Sequence, residues 1–362
     1  MADGKYFNFF LHYIKLNILL TICIKFELAS INSKLIFLGD PETNLNNEDK
    51  TAKFKTTQPI ENKFTTELAE YFVNFAGFGY CEIKEIENKT CCEDMIQGDG
   101  WEVIAKQSIN LDNYNFAILK NDKSNKIVIT FPGTRGDFQF TKEIYYSNGV
   151  PLDSDNKEKV MNYFKQIWVL IKEKIGEEMK KVFEEHPNYQ YIFTGHSLGS
   201  SIATIAALDS VKYGNLKQTA NSPVLITYGQ PRTGNDYFAN EVMTYIPIIF
   251  RIVRQGDFVS TLPQCVYDNQ TKSCMNMLPD SKFSKELMLT NEQIQAEEKN
   301  YYSWHLGNLI LYNDDMKSFV TCSGEFGDND PNENCKIILS YNIYNHMIYF
   351  DKFISRMCGK RY

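Results

Sequence analysis

The stretch "YIFTGHSLGS" at 191–200 constrains the fold of this chain more than any other. It fits the pattern G-x-S-x-G, and its flanks give that pattern the setting in which it carries chemistry. Strand-forming Tyr191–Thr194 precede it, and "SLGSSIATIAALDSVKYG", a helical pattern ending at Gly214, follows. A serine between strand and helix sits on a strained turn. Gly195 and Gly199 are required there because a Cβ at either place would crowd the neighbouring backbone. Ala203, Ala206 and Ala207 let the helix lie close to a sheet. The Ser197 hydroxyl then stands above the helix N-terminus, whose partial positive charge favours a developing anion.

Apolar strand-like runs alternate with helical patterns along the chain. "NFAILKNDKSNKIVITF" reads as a hairpin ending at Phe131, and "KVMNYFKQIWVLIKEKIGEEMKKVFEEH" as a helix with Met161, Phe164, Ile167, Trp168, Ile171 and Ile175 on one face. "PVLITYG" and "IPIIFRIV" are further strands, the second closed by the turn Gln255-Gly256-Asp257. This order predicts an α/β fold with a central sheet covered on both faces.

A serine hydroxyl needs a base within hydrogen-bond reach. The chain has five histidines: His12 lies near the N-terminus, His186 ends a helix, and His196 adjoins Ser197 on a turn where side chains diverge. His305 and His346 remain as candidate bases. Asp257, at the C-terminal end of a strand, is the candidate acid; Asp236 and Asp268 are its rivals in polar loops. An anion pocket requires backbone donors, and Leu198 N–H supplies one. "VITFPGTRG" offers the other, a strand running into the tight turn Pro132-Gly133-Thr134.

The N-terminal residues 1–30 read as a secretory signal: Lys5 and Lys15, the apolar core "LNILLTICI", then small residues with a cleavage site near Ala29 or Ser30. A retained anchor is the rival reading, although the apolar run is short for a bilayer. Residues 31–60, rich in Asn, Lys and Thr, are expected to form a poorly ordered leader or pro-segment, followed by one catalytic domain over 61–362. Removing Cys23 with the signal leaves eight of nine cysteines, none in C-x-x-C spacing, which favours disulfides over zinc. The sequons at Asn88 and Asn269 also suit a secretory compartment. A net charge of -7 without a basic cluster argues against nucleic acid as a partner. "CSGEFGDNDPNENC" fails the calcium-loop pattern, with Glu333 where glycine is required. Neither metal nor cofactor is called for.

These motifs together resemble the class 3 lipases, the family of fungal triacylglycerol lipases with an α/β-hydrolase-type fold: a mostly parallel central sheet, flanking helices and a lid. The resemblance covers roughly residues 64–358 and rests beyond the elbow on "TYGQPRTGNDYFAN", "RQGDFVSTLP", "VITFPGTRG", "WHLGNLILY" and "NHMIYF". It implies the triad Ser197, Asp257 and His346, leaves His305 a structural role, and implies an oxyanion hole from Thr134 and Leu198. It implies a lid in "DFQFTKEIYYSNGVPL", where Phe138, Phe140, Ile144, Tyr145 and Tyr146 form an apolar face; a packed surface helix is the alternative. It also implies the disulfides Cys81–Cys358, Cys265–Cys274 and Cys322–Cys335, leaving Cys91 and Cys92 as a vicinal pair. Several residues depart from the family pattern: Pro132 for Arg, Gly256 for Asn, Ser260 for Pro, and Asn345 for Asp.

The implied activity is that of a secreted serine ester hydrolase acting on lipid esters at an oil–water or membrane interface, with no stable membrane insertion after signal removal. A phospholipase A1, a feruloyl-type esterase, or a catalytically silent lipase-like binding domain are the alternatives.

Overall fold

A computed structural model describes residues 58–88, 91–92, 98–109, 114–134, 149–153, 157–214, 216, 221–263, 265–268, 273–276, 304–323, 333–338 and 343–357. Eight strands form its sheet: β1 (Glu102–Ile109), β2 (Tyr114–Asn121), β3 (Lys126–Phe131), β4 (Gln190–His196), β5 (Val224–Tyr228), β6 (Ile248–Arg254), β7 (Asn308–Tyr312) and β8 (Phe319–Cys322). They lie side by side in chain order. β3 to β7 are mutually parallel, while β1, β2 and β8 complete the edges in antiparallel pairs. The expected α/β architecture is therefore present. The hairpin read in "NFAILKNDKSNKIVITF" is β2–β3, and β1 and the β7–β8 edge extend the sheet beyond the strands legible in sequence.

Parallel neighbours need crossovers, and helices supply them. Helix α1 (Thr66–Phe78) precedes the sheet, and the short α2 (Ile83–Glu87) follows it in the chain. α3 (Asn162–Glu185) links β3 to β4, α4 (Leu198–Lys212) links β4 to β5, and α5 (Asp236–Tyr245) links β5 to β6. Side-chain alternation along the strands feeds two cores. Ile127, Ile129, Phe131, Tyr191 and Phe193 pack with α3, α4 and α5. Val128, Ile192, Ile226 and Tyr228 pack with α1 and with Tyr349 and Ile354 near the C-terminus. α4 is buried on nearly every side, which explains its small residues: Gly199, Ala203, Ala206 and Ala207 are all inaccessible.

At the N-terminal end of the parallel strands, the described chain begins as a docked arm. Ile60 is buried; its N–H donates to Gln190 Oε1 at 2.6 Å and its carbonyl accepts from Gln190 Nε2 at 2.9 Å. Lys126 Nζ donates to the Gln58 carbonyl at 2.8 Å.

Candidate active site

The C-terminal ends of β4, β5 and β6 converge on one cluster of buried polar groups. Ser197 stands between β4 and α4 with φ 58° and ψ -130°, the strained backbone expected of the elbow. Its N–H donates to the Tyr228 carbonyl at 2.9 Å, tying the turn to the end of β5. Ser200 Oγ donates to the Gly195 carbonyl at 2.8 Å and lies 3.0 Å from that of Tyr228. A Cβ at Gly195 would overlap Gly199, and one at Gly199 would overlap the carbonyls of Phe131 and Pro132. Gly199 therefore lets Phe131 and Pro132 lie against the head of α4.

Asp257 lies just past β6 and is fully buried. Its Oδ1 accepts from the N–H groups of Val259 and Ser260 at 3.0 and 3.3 Å. His346 Nδ1 is 3.0 Å from both carboxylate oxygens, and the Tyr349 hydroxyl donates to Oδ2 at 2.7 Å. Burial alone would raise the Asp257 carboxyl, but the adjoining imidazole and these donors outweigh it and hold it below the usual carboxylate range. Tyr349, buried and facing a carboxylate, is pushed well above its ordinary value and stays a neutral donor.

His346 sits in a short helix, α6 (Ile343–Met347). A clamp holds it: Asn345 Nδ2 donates to the Gln255 carbonyl at 2.9 Å and to Asp314 Oδ1 at 3.0 Å, and Arg254 donates to the carbonyl of Ile348 at 3.1 Å. An aspartate at 345 would face Asp314 carboxylate to carboxylate, which accounts for the amide found there. Gly229, with φ +56°, leaves room for Asp257 and His346; a Cβ would stand 2.7 Å from Asp257 Oδ2 and 2.9 Å from His346 Nδ1.

Of the two candidate bases, His346 meets the acid, while His305 Nε2 donates to the Ser260 carbonyl at 2.7 Å and braces the loop after Asp257. Asp236 lies instead in the first turn of α5. Tyr349 went unread in the sequence, although its signal was there: a Tyr three residues after the base, on the same short segment. His196, adjoining Ser197, turns onto His346: the two imidazole centroids are 4.5 Å apart.

The disulfide expectations need correction. Cys81 pairs with Cys91, ten residues on, rather than with Cys358, and Cys92 is bonded separately, so Cys91 and Cys92 are not a vicinal pair. Cys91 is nearly inaccessible against Cys81 in the core under α1, where the local chain brings it before any distant partner. Cys322–Cys335 forms as expected. Cys265 and Cys274 lie on facing strands, 265–268 and 273–276, but their side chains, like Cys358, Asn269 and the lid residues Phe138, Phe140, Ile144, Tyr145 and Tyr146, fall outside the described residues. Asn88 is exposed at the end of α2. Among the described residues no group of side chains could hold a metal ion, and no helix is long and apolar enough to cross a membrane.

The pattern of the class 3 lipase family matches residues 128–267, the span from β3 through the acid loop. Over that span the chain is similar to the class 3 lipases. A lipase of Rhizomucor miehei is 27% identical over 190 residues, 49% of this chain and 51% of that protein. The lipase ZK262.3 of Caenorhabditis elegans is 29% identical over 155 residues, 42% of each chain. A secreted mono- and diacylglycerol lipase of Fusarium solani is 33% identical over 104 residues, 29% of each. The chain thus aligns with at most about half the length of these relatives. Among solved structures, a triacylglycerol lipase described as having a serine-protease triad superposes with TM-score 0.59 at 21% identity, covering 82% of this chain and 98% of that one. A fungal lipase–inhibitor complex gives 0.60 at 20%, covering 80% and 95%. This likeness establishes the α/β-hydrolase-type fold of the lipase family.

Proposed function

We propose that this protein is a serine ester hydrolase of lipid esters, with Ser197 as nucleophile, His346 as base and Asp257 as the acid that orients it. The observation that carries this reading is the buried Asp257 holding Nδ1 of His346 at 3.0 Å, with His346 packed on His196, the neighbour of a serine whose backbone is strained at φ 58°. With Nδ1 engaged, Nε2 is the nitrogen that takes the serine proton as Ser197 Oγ adds to the acyl carbonyl. The Leu198 and Thr134 N–H groups stabilise the resulting oxyanion, and imidazolium returns the proton to the leaving alcohol. Water then repeats the sequence on the acyl-enzyme, releasing the acid and restoring Ser197.

The relatives, named as mono-, di- and triacylglycerol lipases, support a lipid ester as substrate, and its cleavage is read as taking place at a lipid–water interface. The expected lid over 138–146 would shield the site and open where lipid accepts its apolar face. Entry to the secretory pathway through residues 1–30, a pro-segment over 31–60 and a catalytic domain over 61–362 fit the disulfides and the exposed sequon Asn88. Secreted lipases among the relatives support the same route. Hydrolysis of emulsified triacylglycerol, phosphatidylcholine vesicles and a soluble short-chain ester by purified protein tests the reading. Emulsified acylglycerol is expected to be cleaved fastest, and Ser197→Ala is expected to abolish all three. A Ser197→Ala protein that keeps its esterase activity overturns the assignment.

A further inference from the structure

His346 is held at two points, and the acid accounts for only one. Its backbone carbonyl lies 2.8 Å from Nε2 of His196, the residue just before the nucleophile. A carbonyl oxygen only accepts, so this partner assigns the hydrogen of His196 to Nε2 and leaves Nδ1 with its lone pair. The Tyr80 hydroxyl, 2.7 Å from that Nδ1, is then the donor. Tyr80 also reaches the anion turn. A Cβ on Gly133 would overlap its hydroxyl and come within 2.6 Å of the His196 carbonyl. The backbone under Tyr80 is itself fixed, since Cys81 is bonded to Cys91 and its carbonyl accepts from Asn115 Nδ2 at 3.3 Å.

We propose that Tyr80 and His196 are positioning residues that join the anion turn, the elbow and the helix carrying His346 into one hydrogen-bonded unit. The inference rests on the catalytic reading above and adds to it the means by which the base is kept in register with Ser197. A neutral donor is needed at 196, because its ring centroid lies 4.5 Å from the imidazole that becomes positive during turnover. A second cation there would oppose that charge. Burial, reinforced by His346 itself, pushes His196 down to about 3 and keeps it uncharged. Two adjacent imidazoles are thus given opposite tasks: one cycles its proton and the other never takes a second.

The test uses the full chain with a soluble ester and counts active molecules by circular dichroism-verified folded protein. His196→Leu, similar in volume but lacking the donor, is expected to lower kcat on the order of 10²-fold with KM little changed. His196→Gln, which still presents an N–H toward the His346 carbonyl, is expected to recover most of the loss. Tyr80→Phe is expected to lower kcat about tenfold, the worth of one neutral hydrogen bond. An imidazole-nitrogen NMR spectrum of the unmutated protein should show His196 protonated at Nε2 alone. A folded His196→Leu protein with unmutated kcat, or a spectrum with the His196 hydrogen on Nδ1, overturns the proposal. If His196→Leu does not fold, Tyr80→Phe and the spectrum decide. Should Ser197→Ala retain activity, the catalytic reading fails, whereas the spectrum still reports on the Tyr80–His196 pair.

Discussion

The two ends of the parallel sheet bury polar groups in different ways. At the N-terminal end, Gln190 is 2% exposed and meets the backbone of Ile60 and the Ser222 carbonyl, while Lys126, equally buried, meets the carbonyls of Gln58 and Ser124. Each side chain there satisfies main chain, and the left-handed residue beside them, Asn125 at φ 52°, is of a type that tolerates this conformation in a turn. At the C-terminal end, Asp257, His346 and Tyr349 pair with one another, and Ser197 holds a backbone conformation that an L-residue seldom adopts. Burial of polar groups is common to both ends, so burial by itself does not mark a site. Ionisable groups paired with each other next to stored strain do.

Substitutions at the two ends should therefore separate activity from stability. The largest effect is expected from His346→Ala: about six orders of magnitude in kcat, with a melting temperature near that of the unmutated protein, read by ester hydrolysis and calorimetry. Asp257→Asn should cost about four orders in kcat, because an amide no longer fixes the imidazole in the required tautomer. Gly229→Ala should lower kcat on the order of 10²-fold, since its Cβ displaces both Asp257 and His346, and kinetics with a soluble ester would show it.

At the other end the signs reverse. Gln190→Leu leaves the Ile60 N–H and carbonyl buried without their partner and should destabilise by about 2 kcal/mol in a urea titration, with kcat per folded molecule unchanged. The smallest effect concerns Lys126, which burial pushes down from 10.5 to about 8. Between those values the unfolded chain binds the proton that the folded chain has released, so stability gains from rising pH across that window. Below it both states are charged and the burial cost is constant. Lys126→Met should flatten the stability profile between pH 8 and 10.5 and leave the rest of the curve parallel.

The same contrast explains what could be read in advance. The elbow, its strand and its helix were legible because spacing, glycines and small residues all lie within "YIFTGHSLGSSIATIAAL". The β2–β3 hairpin and α3 were legible for the same reason, as local periodicity. The match of Asp257 to His346 needed the family pattern, because 89 residues separate them and no local rule joins two distant loops. The family resemblance pairs Cys81 with Cys358, whereas packing under α1 sets it against Cys91, a departure that no family pattern reveals. The Gln190 latch on Ile60 spans 130 residues and involves a polar side chain with no motif around it. It becomes visible only when β4 is placed beside β3.

The central claim is that Ser197 is an activated nucleophile whose base is His346. Mass spectrometry of the full chain after brief exposure to a fluorophosphonate tests it most directly. One phosphonate on the peptide holding Ser197 is predicted, with labelling slowed by orders of magnitude in His346→Ala. A folded, unmutated chain that takes no label, or takes it at another serine, would contradict the account.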